Sequence, residues 1–134
     1  MKNEIVAQLC LGVILKASNL PSANRLALQN IDQAAGVALK LYASQHELGI
    51  NTSDVFTSVL PKIKDKNLII SSDANALMKC HKISDEIAFS SSMVETQVID
   101  EYITLVKILL AYLHNYRATK AKWAELVNNI RKSL

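Results

Sequence analysis

The chain has 134 residues, of which half are hydrophobic, three are glycine and two are proline; this composition excludes disorder and provides one domain with a real core. Its cysteines, Cys10 and Cys80, lack the paired spacing of a disulfide framework or a zinc site, so we expect free thiols in a reducing cytoplasm. The formal net charge is only +3, but the segment after residue 113 holds five cations and one anion, so any anionic partner is expected there.

The first predicted helix runs from about Asn3 to Ala17 and is apolar nearly all round, as expected of a central element. Its segment "IVAQLCLGVIL" resembles the core of a signal peptide, but Gln8 interrupts it and Lys16 follows it in place of a small-residue cleavage site. The segment is also shorter than the ~20 apolar residues that cross a bilayer. We therefore predict a cytoplasmic protein without a membrane segment.

The second predicted helix begins at Pro21, because proline cannot continue a helix but fits the first turn of the next one. It runs to about Leu48 and stops at Gly49, where we expect a left-handed cap. A helix of this length indicates a long antiparallel hairpin with a neighbour. Its apolar stripe consists of Leu28, Ile31, Ala35, Leu39 and Tyr42.

The third and fourth predicted helices are joined by a turn that ends in the apolar residues "NLII". Thr52 or Ser53 caps the third helix, and Pro61 is expected to kink or end it. Ser72 and Asp73 open the fourth helix, which carries the polar stretch "KCHKISDEIAF". The inward-facing residues of the third helix are Val55, Phe56, Val59, Leu60 and Ile63. The packing face of the fourth includes Leu77, Met78, Ile83, Ile87 and Ala88.

The last predicted helix follows the serine-rich break "SSSMVE", in which Ser92 and Glu95 have the spacing of a capping box. It continues either as one very long helix to about Ile130 or as two helices with a break near Thr119. Its apolar stripe is Val98, Tyr102, Leu105, Leu109 and Leu113. The fold class is therefore all-α, with residues 1–134 forming a single antiparallel bundle of about five helices and a long C-terminal helix.

The stretch "KCHKISDEIAF" holds the first candidate for chemistry, because His81 and Asp85 lie four residues apart on one helical face. This spacing can offer two ligands to one metal ion, but two ligands do not make a site unless others arrive from elsewhere. Cys80 and Glu86 lie off that face, and neighbouring residues point about 100° apart, so His81 cannot activate the Cys80 thiol. We interpret the stretch as a solvated helix face and predict no catalytic residue, metal or cofactor.

The tail "HNYRATKAKWAELVNNIRKSL" interleaves aromatic and basic side chains, a mixture that can grip phosphates and stack on bases. Trp123 also belongs to a plain apolar stripe with Leu126, Val127 and Ile130, which favours packing against the core or a second copy. The candidate contacts to a nucleic acid or a protein partner are His81, Lys82, Asp85, Arg117, Lys120, Lys122, Trp123, Arg131 and Lys132.

The order of elements from Asn51 to His114 resembles the HEPN family of helical domains, found in many prokaryotic toxin, defence and RNA-processing proteins. The similar segments are "SDVFTSVLPKI", "DKNLII", "LMKCHKISDEIAF" and "VIDEYITLVKILLAYL". Members of that family typically carry Leu-x-x-x-Arg-Asn-x-x-Ala-His, whose arginine, polar residue and histidine serve metal-independent RNA cleavage, usually across a dimer.

The present sequence departs from that motif at two of its three functional positions. The arginine falls on Ser84, the polar residue on Asp85, the alanine on Ala88 and the histidine on Phe89. A serine cannot stabilise a phosphate as an arginine does, and a phenylalanine cannot transfer a proton. The resemblance therefore implies a helical domain without the usual nuclease activity.

Three functional hypotheses follow from the sequence, in order of preference. The first is a non-catalytic HEPN-like domain that binds a protein partner or nucleic acid, in a defence or toxin-antitoxin system. The second is an adaptor or assembly subunit with no nucleic-acid role, whose long last helix forms a homodimer seam or docks a partner. The third is a ribonuclease with a rearranged site built from His81, Lys82 and Asp85. We predict that the protein is not an enzyme.

Overall fold

The computed structural model describes residues 2–18, 20–46, 48–49, 56–88 and 94–134. Within these ranges the protein is all-helical, as predicted, and has six helices where about five were expected. They are α1 (Lys2–Ala17), α2 (Pro21–Gln45), α3 (Phe56–Asp65), α4 (Ser71–Ala88), α5 (Thr96–His114) and α6 (Lys120–Ser133). None of these helices is long and apolar enough to cross a membrane.

Helix α2 begins at Pro21 as predicted but ends at Gln45, three residues before Leu48. His46 closes it by donating its backbone N–H to the carbonyl of Tyr42. Gly49 does adopt a left-handed conformation, with φ +70°, but it lies in the following connection and not at the helix end. The predicted stripe of α2 is correct, since all five of its residues are buried.

Helix α3 contains Pro61, so the expectation that this proline ends the helix is wrong. Pro61 is exposed and lies past the first turn, and the helix continues four more residues to Asp65. Four of its predicted inward residues are buried: Phe56, Val59, Leu60 and Ile63. The proposed caps Thr52 and Ser53, and Val55, lie outside the described residues.

Helix α4 begins at Ser71, one residue before the predicted start. Its packing face differs from the predicted one, because Ile83 and Met78 are only half-buried. The buried positions recur at intervals of three and four residues and include one polar side chain, that of Ser84. They are Ala74, Leu77, Cys80, Ser84 and Ile87.

The C-terminal region forms two helices, so the second of the two sequence alternatives is correct. Helix α5 ends where Asn115 turns left-handed, with φ 52°. Helix α6 begins after Thr119, whose Oγ1 accepts the backbone N–H of Lys122 at 3.1 Å. The predicted capping box is wrong, because Glu95 is itself the N-cap residue of α5 and makes no side-chain cap; Ser92 lies outside the described residues.

Helices α2 and α5 form the centre of the domain and pack against each other along their length. Helix α1 packs on both, and α6 packs on α1. Helices α3 and α4 pack together and cover the other side of the central pair. The buried side chains form one continuous core, and Tyr102 and Leu109 of α5 are among its fully buried members.

Candidate functional site

Four polar side chains from three helices meet on the α4 side of the central pair; we call them the histidine cluster. They are Asp32 of α2, His81 and Asp85 of α4, and Tyr102 of α5. Asp32 Oδ1 accepts the Tyr102 O–H at 2.5 Å and lies 2.9 Å from His81 Nδ1. On the other side of the ring, His81 Nε2 lies 3.4 Å from Asp85 Oδ2. His81 and Asp85 therefore do share one face of the helix, but the interpretation of this stretch as a solvated face is wrong for His81, whose side chain is only 12% exposed.

The His81 ring is held in one orientation by its surroundings. Its face stacks on Phe56 of α3, with ring centroids 4.2 Å apart and planes 4° from parallel. Because the Asp32 carboxylate only accepts hydrogen bonds, Nδ1 carries a proton and donates it. In the neutral ring, Nε2 then keeps its lone pair. This nitrogen faces the solvent side of the cluster, where the Asp85 side chain is 66% exposed.

Tyr102 and Cys80 keep their protons in this environment. Burial, and then the charge and hydrogen bond of Asp32, raise the pKa of the Tyr102 hydroxyl, so it acts as a neutral donor. Burial raises the pKa of the Cys80 thiol to about 11, with a smaller contribution from Glu101. A thiol with this pKa is a poor nucleophile at neutral pH, which supports the interpretation of Cys80 as a core residue.

Sequence reasoning missed Asp32, although the sequence holds a signal for it. Asp32 follows Leu28 by four residues and precedes Ala35 by three, so it lies on the buried stripe of α2. A carboxylate on such a stripe must find partners, because an unpaired buried charge is costly. The sequence placed Tyr102 on the core stripe of α5, where its buried hydroxyl likewise needs a hydrogen-bond partner.

A second candidate region lies on the opposite side of the domain, where α1, α5 and α6 enclose an apolar depression of about 320 Å³. We call this the C-terminal groove. Lys107 and Lys120 are its only charged lining residues among those described. The full lining is Leu9, Cys10 and Val13 of α1, Lys107 of α5, and Lys120, Trp123, Ala124, Val127 and Asn128 of α6.

Lys107 is the unusual residue of this groove. Its side chain is half-buried, and its Nζ lies 5.0 Å from the centre of the Trp123 ring. Burial lowers the pKa of Lys107. Along the part of the chain that the structure describes, neither Lys107 nor Lys120 forms an ion pair.

Trp123 is 9% exposed and packs in the core, so its ring is not free to stack on a base. Its edge meets Tyr116 at a centroid distance of 5.7 Å. Leu126, Val127 and Ile130 pack beside it as partly buried residues. The apolar stripe of the tail is therefore used to hold α6 against α1, which is the packing role that the sequence favoured.

The predicted basic residues of the tail do not form one continuous stripe. Lys120 and Arg131 are eleven positions apart, or about three turns, and share one side of α6. Lys122 and Lys132 lie on another side, where Lys122 is 3.6 Å from the Glu125 carboxylate. Arg117 precedes the helix and lies over the Tyr112 ring at 5.7 Å.

The nine predicted contact residues divide between two distant surfaces. His81, Asp85 and the exposed Lys82 are on α4, which packs against α2, α3 and α5. The other six lie on α6 or just before it, and α6 packs against α1. The two sets therefore lie on or beside helices that do not contact each other.

The position that resembles the arginine of the HEPN motif is Ser84, which is 5% exposed and faces the core. The position of the motif histidine, Phe89, lies outside the described residues. Comparisons of the chain with protein-family models, with curated proteins and with solved structures found no match.

Proposed function

We propose that this protein is a non-catalytic helical binding module whose C-terminal groove docks an acidic amphipathic helix of a protein partner. The observation that most supports this function is the half-buried ammonium group of Lys107, which lies in an apolar groove and has no ion-pair partner among the described residues. A carboxylate from a partner would pair with this cation, and apolar side chains of the same partner would cover the groove walls.

Charge complementarity favours an acidic occupant. Lys107 and Lys120 lie on α5 and α6, so they flank the groove from different helices. No acidic residue lines the groove among the described positions, and Arg131 adds a third cation on the Lys120 side of α6. A helix with apolar residues at three- and four-residue spacing and glutamates beside them would match both features.

A protein partner fits the groove better than a nucleic acid does. Phosphate tracking needs a row of cations, and base stacking needs exposed aromatic rings. The tail cations of α6 point to two different sides, one of them is paired with Glu125, and the Trp123 ring is packed. A homodimer seam would require a second copy to present an acidic helix to the same groove.

We also propose that this module is related to the HEPN family. A single antiparallel bundle similar to HEPN domains, with Ser84 in place of the motif arginine, fits a module that has kept the fold and lost RNA cleavage. We place it in the cytoplasm, where the free thiols Cys10 and Cys80 stay reduced.

The groove is tested by titrating the full chain with a designed acidic amphipathic peptide and following the fluorescence of Trp123, the single tryptophan. A peptide in which lysines replace the glutamates, and a short single-stranded RNA, serve as the other probes. Lys107→Met removes the charge but keeps the length of the side chain. Lys66→Met, an exposed lysine in the α3–α4 turn, is the matched control.

We expect the acidic peptide to bind, to shift the Trp123 emission, and to bind about tenfold more weakly to Lys107→Met, since one lost charge pair in a desolvated site costs about 1.4 kcal/mol. Lys66→Met should bind as the wild type does. Equal binding by Lys107→Met and Lys66→Met, or preference for the basic peptide or the RNA, would contradict the proposed function. Concentration-dependent dimers that compete with the peptide would identify a second copy as the occupant.

The Asp32–His81 pair supports one alternative function, a ribonuclease with a rearranged site. In that case His81 Nε2 would accept a proton from a ribose hydroxyl, with Asp32 orienting the ring. Cleavage of a labelled RNA that is abolished in His81→Ala would establish this activity, and equal cleavage by both proteins would assign it to a contaminant.

A further inference from the structure

In the histidine cluster, His81 Nε2 is the ring nitrogen that lacks a close hydrogen-bond partner among the described residues, since Asp85 Oδ2 is 3.4 Å away. Asp32 Oδ1 is shared between the Tyr102 hydroxyl and His81 Nδ1, and the ring face is covered by Phe56. These contacts fix the imidazole from inside the domain and leave Nε2 directed outward. An imidazole held by a carboxylate in this way is the arrangement that orients histidine ligands in metal sites.

The separation of His81 Nε2 from Asp85 Oδ2 is informative. At 3.4 Å it is longer than a charge-assisted N–H···O bond, which is typically about 2.7–2.9 Å. Two ligand atoms that are each about 2.0–2.1 Å from a tetrahedral zinc ion lie roughly 3.4 Å apart. The observed distance matches the spacing of two ligands of one tetrahedral ion.

The sequence offered two ligands, and the structure adds from another helix the group that holds the first of them in place. Asp32 Oδ1 lies 2.9 Å from His81 Nδ1, on the edge of the ring away from Nε2, so it orients the imidazole and is not itself a ligand of an ion at Nε2. Ligand atoms of Asp32, His81 and Asp85 all lie within 4.8 Å of one another. Asp32 comes from α2 and lies inside, whereas Asp85 is largely exposed, so an ion can enter from solvent and keep water at its remaining positions.

We infer that His81 Nε2 and the Asp85 carboxylate bind a divalent transition-metal ion of the zinc type on the surface of α4, with Asp32 as the carboxylate that positions the imidazole. Imidazole and carboxylate ligands suit zinc and cobalt, and they do not suit the all-oxygen preference of calcium or magnesium. The ion replaces water at both ligands and requires no redox change. The site is separate from the C-terminal groove, so it is independent of the proposed function.

The test is calorimetric titration of the tag-free full chain with Zn²⁺, repeated with Co²⁺ and read by its visible absorption. Asp85→Asn removes a ligand, and Glu86→Gln removes the same charge from the next residue, which faces another direction. Both positions are exposed, so both variants should fold, and their circular dichroism and melting temperature verify it. Asp32→Asn tests the positioning role.

We expect one ion per chain, at least tenfold weaker binding by Asp85→Asn, and unchanged binding by Glu86→Gln. Asp32→Asn should weaken the affinity by about 10–100-fold, the usual effect of losing a carboxylate that orients a histidine ligand. The Co²⁺ spectrum of the wild type should indicate tetrahedral coordination and should be lost with Asp85. Equal Zn²⁺ affinity of Asp85→Asn and Glu86→Gln, or no saturable binding by the wild type, would overturn the inference.

Discussion

The histidine cluster and the C-terminal groove treat buried polar groups in opposite ways. In the cluster, the inward-facing groups are paired, because the Asp32 carboxylate accepts from both the Tyr102 hydroxyl and His81 Nδ1. In the groove, the Lys107 ammonium group is partly withdrawn from water, lies 5.0 Å from the centre of the Trp123 ring, and has no ion-pair partner among the described residues. The first arrangement stabilises the fold by itself, whereas the second is better explained by something that is not part of this chain. This difference is why we propose the groove, and not the cluster, as the surface that binds a partner.

The largest expected effect is the loss of the C-terminal groove by local unfolding of α6, while the helices of the histidine cluster stay folded. Trp123 is the one buried residue of α6, so Trp123→Ala should cost about 3–5 kcal/mol and release α6 from α1. Hydrogen exchange should then show α6 amides unprotected while α2, α4 and α5 keep their protection. Lys132→Ala, on the exposed side of α6, is the control and should change nothing. Equal loss of protection in all helices would contradict this local dependence.

The next effect concerns the cluster. Asp32→Ala leaves the Tyr102 hydroxyl and the His81 Nδ1–H without their acceptor, so we expect a loss of about 1–3 kcal/mol in the free energy of unfolding. Because Asp32 joins α2 to α4 and α5, the loss should affect the whole bundle. Asp85→Ala, at the exposed end of the same cluster, should cost less than about 0.5 kcal/mol. Urea denaturation of both variants measures the difference, and equal values would show that Asp32 is not structural.

The smallest expected effect concerns Lys107, whose replacement should not lower the free energy of unfolding at neutral pH. Burial lowers the pKa of Lys107 in the folded state, so the unfolded state binds more protons between the folded and unfolded pKa values, and stability rises with pH in that window. Lys107→Met removes this dependence and should not reduce stability at neutral pH. We therefore expect the wild type to gain stability relative to Lys107→Met in urea denaturation as the pH rises from neutral towards the ordinary pKa of lysine. A constant or falling difference would mean that the native fold stabilises the Lys107 charge.

The periodicity of apolar residues was sufficient to predict the all-helical fold and most of its core. The stripes of α2 and α5 and the inward face of α3 follow from local spacing, which helices obey whatever their neighbours are. Helix ends were predicted less well. Asn115 ends α5 by turning left-handed, a conformation that asparagine tolerates, and nothing in the apolar pattern marks that change.

The two candidate surfaces depend on contacts between distant parts of the chain, and this is why the sequence revealed only half of each. His81 and Asp85 are four residues apart and were correctly placed on one helical face. Asp32, however, lies 49 residues before His81, and Tyr102 lies 70 residues after Asp32. In the groove, the sequence drew attention to the cations of the tail, while the desolvated one, Lys107, is on α5. Its burial arises only when α6 folds back onto α1.

The most direct test of two separate surfaces is one NMR experiment on the ¹⁵N-labelled full chain. Zn²⁺ should shift backbone amide signals around His81 in α4 and Asp32 in α2 and leave those of α6 unchanged. The acidic amphipathic peptide, added next, should shift signals of α1, α5 and α6 around Lys107 and leave those of α4 near His81 unchanged. Overlapping sets of shifted signals, or no shift around Lys107 with the peptide, would contradict the account.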